Sequence, residues 1–97
     1  MSRHRHFHLD HAGHSVTLNI RDGRRTEYEL LVDGKEVGYQ RRRRHSTAAE
    51  LLSGELPGEP PRVFDLEIEH PADSREEIVC VLEVDGARRP MAEGAAL

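Results

Sequence analysis

The first half of the chain alternates apolar and polar residues in three short segments, which is the pattern of half-buried β-strands. The segments cover residues 15–21, 26–32 and 35–40. Asp22-Gly23 lies between the first two segments, and Asp33-Gly34 lies between the second two. At Asp22-Gly23 the first segment runs into a turn, and Asp33-Gly34 favours a tight hairpin because both central turn residues adopt positive φ. The pattern therefore predicts a three-stranded antiparallel meander.

Two further strands are predicted in the second half of the chain. Residues 64–69 alternate apolar and acidic side chains, and residues 78–84 form an apolar segment after a polar connection. Val79 and Val81 make the second face of that segment apolar as well, so we expect this strand to be central or covered on both sides. It ends at Asp85-Gly86, which repeats the Val-Asp-Gly turn of the first half.

A short helix is predicted between the two halves. Thr47 followed by Glu50 has the spacing of a capping box, and residues 48–52 are mostly apolar. Gly54 lies where the helix would end. Residues 57–61 contain three prolines, which cannot continue a helix or a central strand, so we expect a connection there.

The predicted fold is mainly β, with about five strands built from two Asp-Gly hairpin units and one short helix. The units can pack face to face as a sandwich, or pair edge to edge as one antiparallel sheet with the helix against it. With 97 residues the chain has room for one domain. We expect this domain at residues 14–90, after a flexible His/Arg-rich arm at residues 1–13 and before a disordered tail at residues 91–97.

Composition narrows the class of protein. No apolar run approaches the ~18 residues of a membrane-spanning helix, and the N-terminus lacks the apolar segment of a secretory signal. Cys80 is the single cysteine, so no disulfide can form within the chain. These features predict a cytoplasmic protein without a membrane partner.

Charge is divided unevenly along the chain, whose net charge is −4. Residues 1–45 contain ten basic and six acidic side chains, whereas residues 46–97 contain four and twelve. A run of arginines is the most prominent candidate for a binding surface. Together with two arginines of the preceding turn, this candidate comprises Arg41, Arg42, Arg43, Arg44, His45, Arg24 and Arg25. Such a patch can neutralise phosphates or dock an acidic partner, and it can equally be a solvated loop.

An acidic row is the second candidate surface. Asp65, Glu67 and Glu69 project from one face of a predicted strand. Like charges two residues apart repel, so the row needs water, a cation or basic cross-strand neighbours, which the arginines of residues 21–25 can supply. The same complementarity between the arginine run of one copy and the acidic row of another would give self-association that depends on salt.

The N-terminal segment is rich in histidine. His4, His6 and His8 project to one side if the segment is extended, which is ligand spacing for Ni²⁺, Cu²⁺ or Zn²⁺, and Asp10 can add an oxygen. A structural zinc site draws its ligands from separated elements, and the chain has no cysteine pair to complete one. We therefore expect any metal binding here to be adventitious, and we predict no cofactor.

Catalytic motifs are missing from the sequence, which contains no phosphate-binding glycine-rich loop, nucleophile elbow or His-Glu-x-x-His pattern. Cys80 lies on the apolar face of a predicted strand, where a thiol packs rather than reacts. His70 beside Glu69 or Asp73 can form an acid–base pair, although a surface hydrogen bond is the commoner role.

The sequence thus predicts a non-catalytic protein-interaction or ligand-binding module that has a protein partner, and it leaves a homodimer open. The alternative is a nucleic-acid-associated protein that uses Arg41–Arg44. Against it stand the lack of a helix-turn-helix or zinc-finger pattern and the small number of aromatic residues. Metal binding by the N-terminal histidines is a third interpretation.

Overall fold

The computed structural model describes residues 3–43, 49–70 and 77–94. These residues form nine β-strands and no helix. The strands are β1 (Arg3–His11), β2 (His14–Asp22), β3 (Arg25–Val32), β4 (Lys35–Arg43), β5 (Glu50–Leu56), β6 (Arg62–Glu69), β7 (Val79–Val84), β8 (Ala87–Pro90) and β9 (Ala92–Glu93). The mainly β prediction is confirmed, and all five strands that the alternating pattern indicated are present.

Two antiparallel sheets contain these strands. The five-stranded sheet has the order β4-β3-β2-β1-β9, and the four-stranded sheet has the order β5-β6-β7-β8. Strands that follow one another along the chain are therefore neighbours in space, except where the chain passes between the sheets. It passes from β4 to β5 on one side, and on the other side the buried Met91 separates β8 from β9.

A single apolar core lies between the sheets, which pack face to face. The buried residues are Phe7, Val16, Leu18, Ile20, Tyr28, Leu30, Val32, Leu52, Leu56, Phe64, Leu66, Ile68, Cys80, Leu82, Val84 and Met91. Alternate residues of β2, β3, β6 and β7 point into this core, and the residues between them lie on the two outer faces. Of the two arrangements left open by the sequence, the sandwich is the observed one.

The segment predicted as a short helix forms strand β5 over its described part, so the helix prediction is wrong there, and residues 44–48 lie outside the described residues. Leu52 and Leu56 are both buried, and their spacing of four suits a helix as well as a strand. Between them, Gly54 leaves space for the ring of Phe64. A Cβ at Gly54 would lie 2.7 Å from Phe64 Cζ.

The predicted flexible arm is wrong for residues 3–11, which form β1 along the whole length of β2. Phe7 is the buried anchor of this strand, and a tight turn at Ala12-Gly13 joins it to β2 with φ of 51° and 81°. The predicted disordered tail is wrong for residues 91–93, because β9 pairs with β1. Residues 95–97 lie outside the described residues.

The two Val-Asp-Gly turns adopt the conformation that their sequence predicts. Asp33 and Gly34 have φ of 51° and 83°, and Asp85-Gly86 has φ of 52° and 76°. The Ser15 N–H donates a 2.9 Å hydrogen bond to Asp33 Oδ1, and this bond lowers the pKa of the Asp33 carboxyl. The side chain of Asp33 therefore ties the β3–β4 turn to the start of β2.

Strand β7 lies between β6 and β8, as predicted for a central strand. Its outer face is not covered, since the side chain of Val79 is 43% exposed. No helix long and apolar enough to cross a membrane occurs in the part of the chain that the structure describes.

Candidate functional site

Four arginine side chains surround an open concavity at the end of the β2–β3 hairpin. This arginine surface consists of Arg21, Arg24, Arg25 and Arg41, and Gly23 and Glu27 complete the lining. The register of the strands explains the grouping, because Arg21 lies opposite Glu27, which in turn lies opposite Arg41. One carboxylate thus stands between two arginines on neighbouring strands, with Cβ atoms about 5 Å apart in each pair.

The members of the arginine surface form no ion pair and no hydrogen bond between side chains within the described residues. The remaining arginines with described side chains all have such a partner. Arg5 pairs with Glu93, Arg42 with Glu50, Arg62 with Asp85 and Arg88 with Glu67 and Glu83, and Arg89 lies 3.2 Å from His11 Nδ1. Among the arginines whose side chains are described, the unpaired guanidinium groups are therefore concentrated in one place, although the net charge of the chain is −4.

The two members of the predicted arginine run whose side chains are described, Arg41 and Arg42, lie on opposite faces of β4. Arg41 joins the arginine surface, whereas Arg42 forms a 2.5 Å ion pair with Glu50, and both of these side chains are largely buried. Arg43 ends β4, and the structure does not describe its side chain. Arg44 and His45 lie outside the described residues. Consecutive residues of a strand point to opposite faces, which is why Arg41 and Arg42 separate.

The acidic row lies on the outer face of the four-stranded sheet, where β6 is flanked by β5 and β7. We call this surface the acidic face, and its carboxylates are Glu55, Asp65, Glu67, Glu69 and Glu83. Sequence reasoning placed the neutralising charge on the arginines of residues 21–25. That expectation is wrong, because those residues belong to the other sheet.

Arg88 of β8 is the basic neighbour that sequence reasoning missed. Its guanidinium group lies 2.7 Å from Glu67 Oε2 and 2.9 Å from Glu83 Oε2. The hydrogen bond from Arg88 holds the pKa of the Glu67 carboxyl below its ordinary value. Asp65 instead accepts a 2.7 Å hydrogen bond from the hydroxyl of Ser53. The Asp-Gly turn before β8 was the available signal, since it predicts that the chain folds back beside β7.

The acidic face also carries three exposed aliphatic side chains. Leu51 is 60% exposed, Val63 is 64% exposed and Val79 is 43% exposed. These side chains share a face with the acidic row because they occupy the outward positions of β5, β6 and β7. The outer surface of this sheet is therefore a mixture of carboxylates and hydrocarbon.

The predicted histidine row lies on the outer face of the five-stranded sheet, where His6 and His8 contact polar side chains of β2. His6 Nδ1 lies 2.8 Å from Asn19 Oδ1, and His8 Nδ1 lies 3.1 Å from Thr17 Oγ1. The two rings are stacked, with centroids 6.4 Å apart. Among the described residues, His4 included, no group of three or more potential ligands is placed to hold a metal ion.

A polar contact between the sheets was also missed by sequence reasoning. The hydroxyl of Tyr28 lies 2.8 Å from His70 Nε2, at one end of the core. Burial raises the pKa of Tyr28 to about 12 and lowers the pKa of His70. The predicted partner of His70 was Glu69 or Asp73, and Asp73 lies outside the described residues. His70 forms its contact with a strand that is far away in sequence.

Cys80 is placed as a packing residue, as its position on an apolar strand face predicted. Its side chain is 1% exposed, and burial raises the pKa of its thiol to about 12. A thiol in this environment remains protonated at neutral pH and is a poor nucleophile.

Comparisons of the chain with protein families, with curated proteins and with solved structures found no match.

Proposed function

We propose that this protein is a non-catalytic, cytoplasmic protein-interaction module and that the acidic face of the four-stranded sheet is its contact surface. The observation that carries the proposal is the exposure of Leu51, Val63 and Val79 among carboxylates. Isolated exposed aliphatic residues are common on proteins, but several on one sheet face provide apolar area that a partner can cover.

The register of the strands indicates what kind of partner fits. Leu51 lies opposite Glu67, and the other two exposed aliphatic side chains also lie opposite glutamates. The remaining pairs are Val63 with Glu55 and Val79 with Glu69. Hydrocarbon and negative charge therefore alternate across the face. A matching surface has aliphatic and basic side chains in alternation, so that burial of hydrocarbon gives affinity and charge complementarity gives orientation.

The expected partner is consequently a segment of another protein in which Lys or Arg alternates with Leu, Ile or Val. A second copy of this chain is a weaker candidate. Its arginine surface is basic, but none of the exposed large aliphatic side chains of the described residues belongs to it. The proposal thus favours a heterologous complex over a homodimer.

A titration with a peptide of the expected chemistry tests the proposal. The ¹⁵N-labelled protein is titrated with a short peptide that alternates Arg and Leu, followed by peptides in which Glu replaces Arg or Ser replaces Leu. We expect chemical-shift changes at amides of β5, β6 and β7 with the first peptide and much weaker changes with the other two. Changes confined to the five-stranded sheet would contradict the proposal.

Matched variants distinguish specific binding at the acidic face from nonspecific binding of the peptide. Leu51→Ser combined with Val63→Ser should weaken binding of the Arg-Leu peptide about tenfold or more, because the apolar contact is lost. Val37→Ser is the control, since Val37 is 43% exposed in β4 of the other sheet, and it should leave the affinity unchanged. Sedimentation velocity on the free protein shows whether the same substitutions alter a self-association equilibrium, which would point to a homodimer instead.

A further inference from the structure

We infer that the arginine surface at the end of the β2–β3 hairpin binds the phosphate backbone of a single-stranded nucleic acid. This site lies on the five-stranded sheet and involves none of the residues of the acidic face. The inference is therefore independent of the proposed protein contact.

The charge of the site favours an anionic ligand. Every other arginine whose side chain is described has an ion-pair or hydrogen-bond partner, whereas the four of the arginine surface have none within the described residues. Glu27 is the single carboxylate of the concavity, and it also accepts a hydrogen bond from the hydroxyl of Tyr39. Positive charge thus exceeds negative charge locally. Guanidinium groups bind phosphate oxygens through two parallel hydrogen bonds, which makes phosphate the matching ligand chemistry.

The shape of the site favours a chain of phosphates over a single anion. The concavity is open, and its arginines come from β2, the following turn, β3 and β4. Arg21 and Arg41 are two strands apart, which places their backbones roughly 10 Å from each other. An open surface of this width suits a ligand that presents successive phosphates along its length.

Ring side chains beside the arginines favour a single-stranded nucleic acid over a duplex. Tyr39 is 51% exposed and lies two residues from Arg41, on the same face of β4. The next row across the sheet joins Tyr39, through Glu29 and Asn19, to the exposed ring of His6. Exposed rings on a sheet surface provide stacking platforms for unpaired bases. Tyr28, the other tyrosine, is buried in the core and cannot serve.

Fluorescence anisotropy with labelled oligonucleotides tests the inference. The probes are short oligo(dT), oligo(rU) and a duplex of equal length, titrated with the full chain at several salt concentrations between about 50 and 200 mM. We expect both single strands to bind more tightly than the duplex. The two single-stranded probes distinguish DNA from RNA as the source of the phosphates.

Two variants of equal charge locate the site. Arg24→Gln, Arg25→Gln and Arg41→Gln are combined in one protein, and Arg62→Gln, Arg88→Gln and Arg89→Gln are combined in the control. Each loses three positive charges, but only the first loses them from the arginine surface. We expect the first variant to bind about tenfold or more weakly and to lose about two units of salt slope. The control should change affinity less than about threefold. Amide spectra confirm that both variants remain folded.

Substitutions of Tyr39 test the stacking step. Tyr39→Ala should weaken single-strand binding about fivefold or more, whereas Tyr39→Phe retains the ring and should keep most of the affinity. Equal losses in the two triple-arginine variants, tighter binding of the duplex, or no binding at about 50 mM salt would each overturn the inference. The Leu51→Ser, Val63→Ser protein should bind the oligonucleotides normally, so failure of the protein-contact proposal and failure of this inference are distinguishable.

Discussion

Within the described residues, the arginine surface at one end of the five-stranded sheet has four arginines without carboxylate partners, whereas the outer face of the four-stranded sheet has five carboxylates of which two share Arg88. The buried side chains of the two sheets do not differ in this way, because none of them is polar or charged within the described residues. The two sheets therefore differ in charge on their solvent-exposed surfaces and not in their buried residues. The inner faces have to satisfy packing, while the outer faces are free to carry recognition.

This contrast also shows why the number of charged residues is a poor guide to a binding surface. Arg42 belongs to the most basic stretch of the chain, yet Glu50 neutralises it inside the fold. Arg21 is isolated in sequence from that stretch, yet it contributes to the arginine surface. The pairing state of each side chain, and not its sequence neighbourhood, determines what remains available to a ligand.

Truncation of core side chains should lower the free energy of unfolding most, and by similar amounts in the two sheets. Leu30→Ala in the five-stranded sheet and Leu66→Ala in the four-stranded sheet should each lower the free energy of unfolding by about 2–5 kcal/mol, because both side chains are fully buried. Leu51→Ala on the acidic face is the control and should change it by less than about 0.5 kcal/mol. Urea denaturation measures all three. A large effect of Leu51→Ala would show that this face is covered.

Alanine substitutions at two core-facing glycines, one in each sheet, should differ in their effect on stability. Gly54→Ala should destabilise the fold by about 1–3 kcal/mol, since the new Cβ would lie 2.7 Å from the Phe64 ring. The nearest side-chain atoms to a Cβ at Gly38 belong to Leu30, at 3.5 Å, which is ordinary contact. Gly38→Ala should therefore be nearly neutral, within about 1 kcal/mol. Thermal and urea unfolding of the two variants side by side measure the difference, and equal costs would contradict the packing described for β5.

The contact between Tyr28 and His70 should make stability depend on pH. Burial lowers the pKa of His70 in the folded protein below its ordinary value of 6.5, so the unfolded chain binds the proton more readily. This contribution to stability is fully present above that value and is lost as the pH falls below it. The free energy of unfolding of the wild-type protein should therefore fall more steeply than that of His70→Gln between about pH 7 and pH 5.5. Parallel curves for the two proteins would contradict this assignment.

Substitution of Arg88 on the acidic face should have the smallest effect on stability of the changes considered. Arg88→Gln removes the guanidinium group that holds the pKa of Glu67 down, so the pKa of Glu67 should rise toward its ordinary value. Arg62→Gln is the control, because Arg62 pairs with Asp85 and should leave the pKa of Glu67 unchanged. NMR titration of the glutamate side-chain carboxyl carbons measures both. Stability should change little, because these side chains are exposed.

Local patterns predicted much of the fold. The five strands with regular alternation and the two Val-Asp-Gly turns follow from side-chain periodicity and turn chemistry. The β1 strand was missed although Phe7 and Leu9 alternate with histidines, because the polar composition of this segment suggested an arm. The β5 strand was missed because Gly54 interrupts the apolar alternation, and its role is visible only beside Phe64.

The candidate sites were predicted less well than the fold. The sequence predicted that Asp65, Glu67 and Glu69 share one strand face, and the structure places them together. It also predicted Arg24 and Arg25 as companions of the arginine run, and the structure places both beside Arg41. The sequence could not identify Arg88 as the partner of Glu67, because that contact joins β6 to β8 across the intervening strand β7. The contact between Tyr28 and His70 joins different sheets and was equally out of reach.

By itself, the amino-acid sequence determined which residues of the five regularly alternating strands point inward and where the two Val-Asp-Gly turns occur, because both depend on backbone geometry over a few residues. The tertiary structure decided which strands are neighbours, which sheet carries each charge, and therefore which arginines remain unpaired. That division has a physical cause. Alternation and turn preference are local properties of the backbone, whereas the pairing of an exposed charge depends on side chains that only folding brings within a few ångströms.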